Sequence, residues 1–169
     1  MISIMKKILL ILMAMFAFGV QNINAQDAPL KIVTNHPDFD IKIKRCVANG
    51  KTVVLDLILN NEGINDVEGV MAFGDGRWTW SYAEAYDDEG NIYPRENIKV
   101  KVANKPNYSG ESGEFKIPAG VPIKLSIQIN NVATSAESFA RFNIVFVCNA
   151  WGLNGDKPVK ISNIPILRK

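Results

Sequence analysis

The chain is 169 residues long and carries 19 Lys and Arg against 17 Asp and Glu. Lys6 and Lys7 sit in an N-terminal segment that reads as removable, and without them 17 bases face 17 acids. That balance excludes the basic excess of a nucleic-acid binder, and no clustered basic stripe is visible along the sequence.

At the N-terminus, Lys6 and Lys7 precede an almost purely apolar run from Ile8 to Val20. The run has the length of a signal-peptide core and is short for a membrane-spanning helix of about 20 residues. Small Ala25 suits the position before a cleavage site, which makes 1–25 a signal peptide and points to an exported protein, periplasmic or extracellular. The rest has the length of one domain, with Val, Ile and Phe enough for a core and no second apolar span of membrane length. Residues 26–38 read as an irregular lead-in and 39–169 as the domain.

From there the period-2 alternation of half-buried strands recurs. Phe39, Ile41 and Ile43 alternate with Asp40, Lys42 and Lys44, and Asn49-Gly50 supplies a tight hairpin turn. Val53, Leu55, Leu57 and Leu59 form the next inward face, closed by Asn60-Asn61-Glu62-Gly63. A weaker strand spans Val67 to Phe73, and another spans Trp78 to Tyr86, ended by Asp87-Asp88-Glu89-Gly90-Asn91. After Ile92-Tyr93, Pro94 lacks the donor a ladder needs and belongs at an edge. Ile98, Val100 and Val102 alternate with Lys99 and Lys101; a polar loop covers 104–113, and Glu114 to Ile117 is a short strand. The clearest alternation runs from Val121 to Ile129. A short helix is expected around Ser135 to Phe139, because Thr134 and Glu137 have capping-box spacing. Ala140 to Cys148 is apolar on both faces, as in a central strand, and Val159 to Leu167 closes the domain. About eight short strands punctuated by Gly, Asn and Pro imply an all-β, immunoglobulin-like two-sheet antiparallel sandwich with at most one short helix.

Several blocks carry a resemblance: Phe39-Asp40-Ile41-Lys42-Ile43, Leu59-Asn60-Asn61, Ala85 to Asn91, and Ile117-Pro118-Ala119-Gly120-Val121-Pro122 leading to Asn130-Asn131-Val132. Together they resemble secreted immunoglobulin-like sandwich proteins of Bacteroidales-type bacteria. The resemblance covers about Phe39 to Val147. It implies a fold and an exported location, and it supplies no catalytic residues to carry over.

Four groups of residues bear on function. Cys46 and Cys148 are the only cysteines, and in an exported protein an even pair reads first as a disulfide. Strict alternation sets Cys46 opposite the Ile41/Ile43 face, a conflict that a bulge at Lys44-Arg45 would remove. Trp78, Trp80 and Tyr82 alternate with Thr79 and Ser81, so in a strand their rings share one face. Such a row either fills the core or offers flat rings to a sugar. Asp87, Asp88, Glu89 and Asn91 gather oxygen atoms but lack EF-hand spacing, and a hairpin turn is the expected reading. His36 is the single histidine, with nothing to position it for catalysis.

These residues point to no metal, no cofactor and no enzyme. The expected function is an exported, non-catalytic binding or interaction module whose partner is a glycan or a protein. A secreted polysaccharide-acting hydrolase and a structural component of a surface assembly are the alternatives.

Overall fold

The computed structural model describes residues 28–34, 36–72, 83–103, 114–144, 146–148 and 158–168, with backbone alone for 68–72, 114, 147 and 148. In chain order the strands are β1 (Lys31–Val33), β2 (Phe39–Asn49), β3 (Thr52–Asn61), β4 (Val67–Ala72), β5 (Glu84–Asp87), β6 (Ile92–Tyr93) and β7 (Ile98–Val102). They continue as β8 (Glu114–Ile117), β9 (Ile123–Ile129), β10 (Ser138–Ile144), β11 (Phe146–Cys148), β12 (Val159–Pro165) and β13 (Leu167–Arg168). Among the described residues the only helical element is a single 3-10 turn at Arg95–Asn97. None of them forms a helix long and apolar enough to cross a membrane. The fold is all-β.

One five-stranded sheet has the order β13-β2-β3-β9-β7 and the other β1-β12-β10-β5-β6; a three-stranded extension has the order β11-β4-β8. The inward faces merge into one apolar cluster. Val53, Leu55, Leu57 and Leu59 bring one side of it from β3, as their alternation requires, and Phe139, Phe142 and Ile144 bring the other from β10. The expected bulge is present: the β2–β3 register shifts between Ile43 and Arg45, so Ile41, Cys46 and Ala48 all reach the core. The turn after it is as tight as read but lies one residue later. Asn49 still pairs with Thr52, which leaves Gly50 and Lys51 as the loop, with Gly50 at φ 57.

Ile92-Tyr93 is an edge strand and Pro94 leaves the ladder directly after it, as its missing donor demands.

Two features differ from the sequence reading. No helix forms at Ser135–Phe139; β10 already starts at Ser138. The backbone N–H of Glu137 is taken at 3.2 Å by the carboxylate of Asp88, a residue 49 positions away, and this long-range bond displaces the local capping box. In addition, the chain changes sheet after Pro165, which cannot donate, and β13 pairs in parallel with Val47 and Ala48 of β2. Arg168 fastens this last segment: its guanidinium donates to the carbonyls of Ala133 at 2.7 Å and Ala136 at 2.6 Å.

Candidate functional site

Strand β10 ends at Ile144 and β11 begins at Phe146, and the two lie in different sheets. Ala72 of β4 stands opposite Phe146 and Glu84 of β5 stands opposite Asn143. The stretch between β4 and Ala83, positions 73–82, follows Ala72 in the chain. Trp78, Trp80 and Tyr82 belong to that stretch and lie outside the described residues.

From Ala83 into β5, alternation is plain: Ala83, Ala85 and Asp87 are buried, while Glu84 and Tyr86 turn outward and are half-buried. Register brings Tyr86 beside Arg141 and Ser162, and Glu84 beside Asn143 and Lys160. A bulge between Phe139 and Arg141 resets the alternation of β10, which is why a charged residue from an apolar run reaches this face.

Four of these side chains close a circuit. Asn143 donates through Nδ2 to Glu84 Oε1 at 2.9 Å and accepts at Oδ1 from Arg141 Nε at 3.1 Å. The Arg141 guanidinium lies 5.4 Å from the centre of the Tyr86 ring, within cation–π range. The Tyr86 hydroxyl is bound to the Glu84 carboxylate, which, with a smaller effect of burial, pushes its pKa up. Asn143 is 3% exposed and both ends of its amide are satisfied, so the circuit is rigid at its base. Among the described residues Arg141 hydrogen-bonds through Nε alone, and the residue is exposed. The surface thus presents a carboxylate, guanidinium donors and a ring edge held in fixed relation.

Asp87, at the inner end of β5, does turn work. Its Oδ1 accepts from the backbone N–H of Glu89 and Asn91, and its Oδ2 accepts from Asn91 Nδ2 and, at 2.6 Å, from the Tyr93 hydroxyl. Both oxygens are spent on donors, as in a hairpin turn. His36 packs on the Phe39 ring at 4.6 Å between centroids and accepts the Asp38 N–H at Nδ1. Cys46 is a buried free thiol, pushed up to about 12 by burial, with Arg168 opposing the shift. The bridge expected with Cys148 is not among the described bonds; the side chain of Cys148 lies outside the described residues.

Sequence reasoning missed the circuit. Arg141 and Asn143 are hidden in a stretch that reads as apolar on both faces. The available signal was parity: Glu84 and Tyr86 continue the even-numbered series of Trp78, Trp80 and Tyr82.

No family model matches the chain, and no curated protein matches it in sequence. Among solved structures, a family 123 glycoside hydrolase from Clostridium perfringens, described in a study of glycolipid glycan hydrolysis, is similar at a TM-score of 0.41 and 11% identity. The match covers 83% of this chain and 26% of that one, so this chain spans about a quarter of that protein's length. The finding corrects the expectation that the chain is not an enzyme: a structure similar to it is a glycoside hydrolase, and the exclusion does not stand. It rested on a missing signature, which a site assembled from separate strands need not have. At this level of similarity neither hydrolysis nor a substrate transfers to the chain.

Proposed function

We propose that this is an exported carbohydrate-recognition domain whose ligand lies on the outward face of β5 and β10, beside the segment carrying Trp78, Trp80 and Tyr82. The observation that carries the reading is the Glu84–Asn143–Arg141–Tyr86 circuit. A fixed carboxylate and guanidinium beside a ring edge are groups that hydrogen-bond sugar hydroxyls and pack against a sugar. The parity of the three aromatics with Glu84 and Tyr86 supports the same face. Export is supported by the N-terminal sequence through Ala25.

A neutral-glycan array probed with the wild-type chain, Arg141→Gln and Trp80→Ala tests this. Binding in the wild type, lost in both variants at a nearly unchanged melting temperature, is the expected result. If Trp80→Ala instead costs about 3–5 kcal/mol and leaves binding intact, the ring is core filling and the reading fails. The same incubations are assayed for released reducing sugar, which separates a bound ligand from a substrate.

A further inference from the structure

The opposite outer face of the molecule, on β2, β3, β9 and β7, has a charge pattern that the balanced composition conceals. Register lines up Arg45, Asp56, Ser126 and Lys101 in one row across four strands. Lys42 and Lys124 flank Ile58 in the row on one side, and Lys99 stands beside Gln128 in the row on the other. Among the described strand residues, Lys42, Arg45, Lys99, Lys101 and Lys124 share this face with Asp40 and Asp56, and Glu62 acts on Lys42 from the loop after β3. Lys42 pairs with Asp40 at 3.0 Å. Asp56 is 3% exposed and sits beneath Arg45 at 2.7 Å, Lys124 at 3.2 Å and the Ser126 hydroxyl at 2.6 Å. Lys99 and Lys101 are exposed and bond to nothing among the described residues.

Two arguments go beyond structural use. One buried carboxylate is neutralised by one cation, and Asp56 has two, so it anchors positive charge as well as being covered by it. Arg45 reaches Asp56 through Nε alone, which leaves its terminal fork without a partner among the described residues and open to a second carboxylate or a sulfate. Lysines on the edge strand β7 also discourage edge pairing, but that role needs no cations in the middle of the sheet.

The rest of the face selects among anionic partners. It has no aromatic side chain among the described residues, which disfavours a protein hot spot and stacked single-stranded nucleic acid. Its apolar residues Val47, Val54 and Ile58 are half-buried and flat, unlike the protruding side chains that enter a bilayer. What it offers is an open plane, about 14 Å from Arg45 to Lys101 at ~4.8 Å per strand, with Gln128, Asn130 and Thr52 between and beyond the charges. We propose that this face binds a linear acidic polysaccharide, its carboxylate or sulfate groups on Arg45, Lys124, Lys101 and Lys99 and its hydroxyls on the intervening amides.

The test is titration of the full chain with polygalacturonate and with dextran sulfate, which separate carboxylate from sulfate. Neutral dextran, duplex DNA and phosphatidylserine-containing vesicles are the comparison probes. Binding to an acidic polysaccharide and not to dextran, weakened about tenfold by moderate salt, is expected. Lys99→Gln with Lys101→Gln should weaken it by roughly tenfold at an unchanged melting temperature, since neither lysine has a partner to lose among the described residues. Unchanged polysaccharide binding in the double variant overturns the proposal, as does equal affinity for DNA or vesicles. Arg141→Gln lies on the other face and should leave this binding intact, so the outcome is independent of the neutral-glycan reading.

Discussion

Among single residues, Cys46 joins a sequence conflict to a measurable property. Parity alone would turn it away from Ile41 and Ile43, and the bulge beside it turns it back into the core. Burial then disfavours the thiolate, which is the reactive form, and raises the pKa to about 12. The native thiol is expected to resist a maleimide or disulfide reagent at neutral to mildly alkaline pH and to label promptly once the chain is denatured without reductant. A chain that labels at Cys46 only after reduction would instead carry a bridge to Cys148.

The β5–β6 hairpin is held both from within its turn and from a distant loop. Asp87 collects four donors within the turn, and the Tyr93 hydroxyl that donates to it also accepts the N–H of Ala133 at 3.0 Å, tying the hairpin to the far loop. Burial alone would raise the Asp87 pKa, but the bonds from Tyr93, Asn91 and Glu89 outweigh it and hold the group below its ordinary 3.8. A depressed folded-state pKa means that the contribution is fully present above the unfolded value and is lost as pH falls through the folded one. The melting temperature should thus decline on acidification below about pH 4, and Asp87→Asn should flatten that decline. Tyr93→Phe should cost about 1–2 kcal/mol at neutral pH, read by urea unfolding. An acid limb identical in wild type and Asp87→Asn would assign acid sensitivity elsewhere, with Asp56 next in line. The turn itself was legible from Asp87-Asp88-Glu89-Gly90-Asn91. Its tie to Ala133 was not, because a bond spanning 40 positions leaves no local trace. The same reason explains the helix that does not form at Ser135: Thr134 and Glu137 have the right spacing, and Asp88 takes the N–H first.

Across the whole molecule, alternation identified inward and outward residues wherever strands are regular, and this made the fold class readable. Strand order was beyond it. Lys42, Lys99, Lys101 and Lys124 are each readable as outward and Arg45 becomes so only through the β2 bulge, and their convergence on one face appears only when β2, β3, β9 and β7 are set side by side. Arg141 and Asn143 meet Glu84 and Tyr86 only through the β5–β10 register. The core is equally collective, because residues from both five-stranded sheets and from the three-stranded extension join one cluster. Phe142 and Leu57 are fully buried on opposite sides of it. If the three sheets formed separate cores, truncating one side would unfold one part and leave a second transition. A single cluster requires one cooperative unit. Phe142→Ala is expected to lose about 3–5 kcal/mol and Leu57→Ala about 2–5 kcal/mol. In both variants near-ultraviolet and far-ultraviolet circular dichroism should follow the same denaturant midpoint. Divergent midpoints in either variant would divide the domain between β10 and β11, which lie in different sheets.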